Sequence, residues 1–283
     1  MARERADIRT ASPADMQLMV GWARDEGWNP GLSDALAFHS ADPEGFLISW
    51  IGDEPIGCIS AVRYGADFGF LGFYIVRPAW RGRDYGIELW NAAMAHLDGR
   101  TVGLDGVPAQ QPNYRKSGFA LAWRNARFSL PAADQTRMKL PTTDAVEPVT
   151  PADIAALDGR VFPTHRQAFW EAWAASPGHV TAGLRMDGRL VGAGMLRPCH
   201  AGSKIAPLYA EDRSAATTIV AALLQAAPPG PVYLDVPMRH DAAVAMALGL
   251  GMIPVFETAR MYRGPAPACD HDLLFGVASF ELG

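Results

Sequence analysis

The chain repeats itself once, and that limits it to folds that can be built twice and packed side by side. Ser12-Pro13-Ala14-Asp15-Met16 reads like Thr150-Pro151-Ala152-Asp153-Ile154. Each spells a helix start: a hydroxyl N-cap, proline at the first helical position and a carboxylate at the third, as in a capping box. Three more landmarks follow in the same order. Gly52-Asp53-Glu54-Pro55-Ile56-Gly57 matches Asp187-Gly188-Arg189-Leu190-Val191-Gly192, each a hairpin turn between strand-like runs. Leu104-Asp105 matches Leu234-Asp235, and Gly118-Phe119 matches Gly251-Met252. The offsets stay between about 130 and 138 residues, so duplication explains them better than coincidence. A stretch rich in proline, threonine and alanine separates the copies. The expected domains are therefore residues 1–130 and 148–283, joined by a connection over 131–147. A chain of 283 residues has the length for two cores.

Composition narrows the partners. Apolar residues make up 49% and charged ones 19%, the balance of a folded protein rather than a disordered one. The net charge of -5 is spread without a basic stripe, which argues against nucleic acid. The opening MARERADIRT lacks the apolar core of a signal peptide, and the longest apolar run, residues 215–227, is broken by Thr217, Thr218 and Gln225. No membrane span is expected. Cys58, Cys199 and Cys269 are odd in number and far apart, which suits reduced thiols of a cytoplasmic protein, and the seven histidines are scattered, so no metal site is expected.

Within the first copy the patterning predicts a strand over 8–11, helices over 13–26 and 32–40, and three strands over 46–51, 56–64 and 68–76. A helix over 86–97, a strand over 101–104, a short helix over 110–116 and strands after Gly118 complete a mixed α/β order. The chemistry concentrates in the run from Tyr74 to Ile87, YIVRPAWRGRDYGI. There a strand ends, proline stops it continuing, two glycines allow close backbone approach, and a helix begins with unpaired amides. Those amides, the helix dipole, and Arg77, Arg81 and Arg83 together form a socket for an anion such as a pyrophosphate.

At these residues the chain resembles a known family. V-x-P-x-x-R-G-x-x-x-G, closing a strand and opening a helix, is similar to the coenzyme A signature of the GNAT N-acetyltransferase superfamily, and Val76, Pro78, Arg81, Gly82 and Gly86 fit it. The family commonly has glycine where this chain has Asp84, which is expected to offer only its backbone N–H. Asn113-Tyr114-Arg115-Lys116-Ser117-Gly118-Phe119 resembles the family's Y-x-x-x-G-F. The resemblance implies two tandem GNAT-like domains, each with a mixed, mostly antiparallel sheet flanked by helices. It implies acetyl-CoA as co-substrate, with Tyr74, Ile75 and Val76 along the pantetheine arm. It places Arg77, Arg81, Gly82, Arg83, Asp84, Tyr85 and Gly86 at the diphosphate. Tyr114 takes the place of the general acid that protonates the leaving thiolate. Asn113 and Lys116, on the same short helix, join the coenzyme A set; Asn113 stands in for an asparagine that the family carries where Val107 or Pro108 lies here. Trp28 and Asn29, between the first two helices, and Asp105 are the candidate acceptor residues. The base is left open among Asp105, Asp25, Glu26 and Glu88.

The second copy lacks these features. Its counterpart loop, from Pro207 to Thr217, has no glycine and carries Glu211 and Asp212 where arginines stood. Four residues before Gly251 stands Ala247, whereas four before Gly118 stands Tyr114. The closing segments around Arg260 to Gly264 and Phe275 to Gly283 look like the tail of a bacterial tandem GNAT group. The second half is expected to pack on the first; Phe162, His165, Trp170 and Trp173 are read as one helix face in a core, with completion of the acceptor pocket as the alternative. The function expected is transfer of acetyl to a primary amine of a small molecule or peptide, by direct attack in a ternary complex. The alternative is a non-catalytic module that binds acyl-CoA.

Overall fold

The computed structural model describes residues 4–135, 141 and 145–283; part of the expected connection, residues 136–140 and 142–144, lies outside them. The first half runs β1 (Asp7–Thr10), α1 (Asp15–Asp25), α2 (Asp34–Ala41), β2 (Phe46–Ile51), β3 (Glu54–Tyr64), β4 (Phe68–Val76), α3 (Tyr85–His96), β5 (Thr101–Gly106), α4 (Gln111–Lys116) and β6 (Ala120–Leu130). After α5 (Ala132–Gln135) the order recurs: β7 (Val146–Glu147), α6 (Pro151–Val161), α7 (Gln167–Ala174), β8 (Val180–Met186), β9 (Arg189–Pro198), β10 (Ser203–Ala210), α8 (Arg213–Gln225), β11 (Val232–Pro237), α9 (Asp241–Gly249), β12 (Ile253–Arg263) and β13 (Leu274–Gly276). The two helix starts that announced the repeat form the same reciprocal bonds. The Asp15 amide donates to the Ser12 hydroxyl and the Ser12 amide to the Asp15 carboxylate, as Asp153 and Thr150 do for each other.

One mixed, mostly antiparallel sheet runs through both halves in the order β1-β2-β3-β4-β5-β12-β6-β11-β10-β9-β8-β7. With β6 and β12 as equivalents, that order reads alike from either end. Each half gives a strand to the other, β6 from the first and β12 from the second. β12 pairs antiparallel with β5, Met261 opposite Leu104, while β6 pairs with β11, Phe128 opposite Leu234. The two exchanged strands pair with each other at the centre. A strand edge left open would expose unpaired amides and carbonyls, and the exchange covers one edge of each half.

The core follows this sharing. One apolar cluster draws on both halves, with Phe38 of α2 packed on Phe169 and Trp173 of α7 at ring separations of 6.2 and 5.7 Å. Phe38 and Phe169 are buried, each contributing roughly 2–3 kcal/mol of apolar transfer. Trp170 and Trp173 belong to this core, and the Trp173 indole donates to Asp34 at 3.0 Å. The charges buried nearby are paired: Arg197 with Asp34 at 2.6 Å, Arg127 with Asp235 at 2.6 Å, Arg166 with Asp158 at 2.5 Å and Arg260 with Asp105 at 2.7 Å. An ion taken from water without such a partner costs several kcal/mol.

The last described segment ties the halves together. β13 lies against β10, the Val277 amide donates to the Asp235 carbonyl, and the chain then crosses into the first half. There the Tyr64 hydroxyl donates to the Leu282 carbonyl at 3.0 Å and Arg166 to the Gly283 carbonyl at 2.8 Å. Gly72 is where the crossing is tightest, because a Cβ on it would stand 2.1 Å from the Glu281 carbonyl oxygen. Among the described residues no helix is long and apolar enough to cross a membrane.

Candidate active site

β4 and β5 run parallel and pair only from Phe68 opposite Thr101 to Leu71 opposite Leu104. Beyond that point they part. The cause is a bulge: Gly72 faces Ser60 and Ile75 faces Cys58, so β4 carries one residue more than β3 over the same span. Phe73, within it, has φ of 46°, a left-handed conformation that bulky side chains avoid. Its ring is held against Phe38 at 6.0 Å. The backbone of 72–76 thus faces a groove where a strand partner would have lain.

The groove, about 450 Å³, runs from Tyr74, Ile75 and Val76 to Arg81, Gly82 and Gly86. Gly86 leaves room for the Tyr74 hydroxyl, which a Cβ there would meet at 2.8 Å and force to shift. α3 begins at this end of the groove, and the first-turn amides of a helix have no acceptor within it. Arg81 lies at the mouth, donating to the Val76 carbonyl at 2.7 Å and pairing with Glu26. The other candidates are placed less directly. Arg77 pairs with Glu54 at 3.1 Å, and Arg83 stacks over Trp80 at 5.4 Å. The Tyr85 ring is buried and its hydroxyl donates to the Glu4 carbonyl, so only its backbone can face a ligand in the groove. Asn113 is exposed and donates to Gln110 at 2.9 Å, and Lys116 is exposed on α4; neither lines the groove. Gln110, which sequence reasoning passed over, does.

Asp84 explains why glycine suits its position. Its φ is 64°, left-handed, and its side chain forms no cap with α3. A side chain there costs roughly 1 kcal/mol that glycine avoids. Asp84→Gly is expected to raise unfolding stability by about 0.5–1 kcal/mol. With the diphosphate at the start of α3, as the sequence resemblance implies, the change should also tighten coenzyme A about threefold to tenfold by removing a like charge. A thermal melt and calorimetry check both, and a weaker-binding variant would contradict the placement.

The groove opens into a cavity of about 70 Å³, and Trp28, Tyr74, Val107 and Gln110 line both. Tyr114 lies in the cavity wall, 8% exposed, stacked on Trp90 at 5.5 Å and 27°. Gly106 makes room for its ring, since a Cβ there would stand 2.7 Å from it. Burial pushes both phenols up, Tyr74 to about 12 and Tyr114 well above the usual tyrosine range. Both hydroxyls therefore keep their protons at neutral pH, and Tyr114 has one to donate. Asp105 lines the cavity, but its oxygens are taken by Arg260 at 2.9 and 2.7 Å and by Asn125 at 2.8 Å. Asn29 is turned elsewhere: its side chain accepts from the Ala201 amide and donates to the Ala201 carbonyl, clamping the halves together. Asp25 is exposed and pairs with Arg24, and Glu88 faces a different surface hollow.

The second half lines this cavity, but through residues that sequence reasoning did not single out rather than through Phe162, His165, Trp170 or Trp173. Phe256 and Thr258 come from β12, and Phe280 and Glu281 from the closing segment, with Arg127 of the exchanged β6 beside them. In the second half, β10 and β11 also part, after Ile205 opposite Leu234. The opening there is occupied by β13, Leu208 opposite Gly276, and the helix start is capped by Asp212 through the Ala215 amide at 2.8 Å.

Residues 13–119 match the Acetyltransferase (GNAT) family and residues 154–276 an Acetyltransferase (GNAT) domain. The holothin acyltransferase of Pseudoalteromonas sp. (strain SANK 73390) is 31% identical over 279 residues, covering 97% of this chain and 94% of that protein. The chain belongs to the GNAT acetyltransferase family. Its fold is two tandem GNAT-like domains, the architecture of acetyl-CoA-dependent acyl transfer. Two solved structures share it. A putative acetyltransferase from Pyrococcus horikoshii is 21% identical, covers 100% of this GNAT chain and 98% of its own length, and superposes with a TM-score of 0.83. A tandem GNAT protein from the clavulanic acid biosynthesis pathway is 15% identical, with coverage of 93% and 100% and a TM-score of 0.66.

Proposed function

We propose that the first half transfers acetyl from acetyl-CoA to a primary amine of a small-molecule or peptide acceptor, by direct attack in a ternary complex. The observation that carries this is the meeting of groove and cavity at Tyr74, Trp28, Val107 and Gln110, with Tyr114 in the wall of the cavity. In this reading the diphosphate lies on the amides and Arg81 at the start of α3, displacing Glu26 from the guanidinium. The pantetheine arm bonds along the open edge of β4, and a β4 amide faces the thioester oxygen as charge develops there. The acceptor nitrogen forms a bond to the carbonyl carbon, the C–S bond breaks, and the thiolate takes the Tyr114 proton. The tyrosinate then recovers a proton from the new amide nitrogen. The second half, its own opening filled by β13, acts as a wall of the acceptor cavity.

The test is release of thiol from acetyl-CoA with a panel of primary amines that includes holothin, the compound in the relative's name. The expected result is amine-dependent release with a product heavier by one acetyl group. Release at the same rate with and without every amine would sink the reading.

A further inference from the structure

The charges around the cavity decide what can enter it. Arg127 is closed by Asp235 at 2.6 and 2.8 Å and by the Trp28 carbonyl at 2.6 Å, and Lys204 lies 3.7 Å from the same aspartate. Arg197, whose field also reaches Glu281, is closed by Asp34 at 2.6 Å. Asp105 is held by Arg260 and Asn125. Glu281 differs. It is 5% exposed and lines the cavity, and its side chain accepts one neutral hydrogen bond, from the Ser279 hydroxyl to Oε2 at 2.6 Å. Among the described residues no lysine or arginine forms an ion pair with it. The fields of Arg127 and Arg197 reach this carboxylate but neither guanidinium bonds it, so its oxygens keep acceptor capacity for a cation that enters the cavity.

The walls suit a cation as well. Trp28 and Phe73 present aromatic surface around the same space, and aromatic faces attract ammonium groups, whereas the Phe256 and Phe280 rings already lie against the Arg127 guanidinium at 5.6 and 5.3 Å. The volume sets the size of what enters. At about 70 Å³ it is roughly half of the ~150 Å³ cavity that admits benzene, so it takes the amine-bearing end of an acceptor and not a bulky body.

We propose that Glu281, contributed by the far end of the chain, binds the acceptor's ammonium group and takes one proton from it before attack. This rests on the reading of the site given above. The ammonium loses its proton to the Glu281 carboxylate and becomes a neutral amine with a lone pair for the carbonyl carbon. Glu281, now neutral, returns that proton to solvent after product leaves. The Glu281 backbone passes closely over Gly72, and the Ser279 hydroxyl holds the carboxylate at 2.6 Å.

Two measurements test this. Propylammonium and uncharged propan-1-ol are titrated into the wild type and Glu281→Gln without acetyl-CoA, read by the fluorescence of Trp28 and Trp90 in the cavity wall. The wild type should prefer the ammonium by about tenfold or more, and the variant should lose that preference. Thiol release is then compared for ethylamine, protonated at neutral pH, and 2,2,2-trifluoroethylamine, mostly unprotonated. Glu281→Gln should lower kcat/KM about 100-fold for ethylamine and less than about tenfold for the fluorinated amine. A wild type that binds ammonium and alcohol alike overturns the proposal even if the variant fails to fold. So does a variant that loses the same factor with both amines. Glu281-dependent ammonium binding without any thiol release would uphold the ammonium site and count against acetyl transfer.

Discussion

Tyr114→Phe should lower kcat for thiol release by about 100-fold or more while leaving the dissociation constant for coenzyme A unchanged. The substitution removes one oxygen and keeps the ring, so the stack on Trp90 and the fit over Gly106 survive. The hydroxyl forms no hydrogen bond to the protein among the described residues, so the fold loses little. What is lost is the phenolic proton in the cavity wall, next to the end of the groove where the thiolate would leave. An interaction made only as the C–S bond breaks appears in kcat and not in ground-state binding. Equal release by the two proteins would take Tyr114 out of the mechanism.

Arg166→Met should destabilise the protein by about 3–5 kcal/mol, the cost of stripping one partner from a buried ion pair. Asp158 and Arg166 have side chains 0% and 1% exposed, joined by two hydrogen bonds of 2.5 and 2.9 Å. The Tyr209 hydroxyl, donating to Asp158 at 2.7 Å, would be the only partner left to that carboxylate among the described residues. The guanidinium also lies 3.6 Å from the centre of the Phe162 ring and holds the Leu282 and Gly283 carbonyls. Its loss should therefore loosen the segment that carries Glu281 and weaken ammonium binding. Urea denaturation measures the first effect and the fluorescence titration the second. The exposed Arg24–Asp25 pair is the contrast, where Arg24→Ala should change stability by less than about 0.5 kcal/mol. A loss near 1 kcal/mol for Arg166→Met would show that water reaches Asp158 in the folded protein.

Local structure was legible because local signals carried it. The strands over 46–51 and 68–76 were placed at their true ends, and the helix expected over 86–97 is Tyr85–His96. Proline, glycine and the arginines marked the groove's end, and Gly118 marked the end of the helix bearing Tyr114. Long-range pairing was not legible. The runs 120–130 and 253–263 read as strands, but consecutive residues of both are buried on either face, and nothing local tells which strand lies beside them. The exchange of β6 and β12 therefore left no local trace. β13 spans three residues, too few for a periodic pattern, and its place in the opening of the second half depends on partners far away in the chain. Glu281 stood in view within the quoted closing segment. Its role could not be read there, because what singles it out is burial in a cavity built mostly by other parts of the chain. Asn29 shows the reverse error. Its neighbour Trp28 does line the cavity, but a left-handed backbone at φ 52° turns Asn29 toward Ala201.

The central claim is that the amides and Arg81 at the start of α3 hold the diphosphate of coenzyme A. Isothermal calorimetry of coenzyme A against the wild type and an Arg81→Ala, Gly82→Val double variant tests it most directly. Gly82 has φ of 72°, so a β-branched residue there distorts the turn that presents the amides. The account predicts one site per chain in the wild type and at least about a hundredfold weaker binding in the variant. No heat of binding in the wild type, or equal affinity in both proteins, would contradict it.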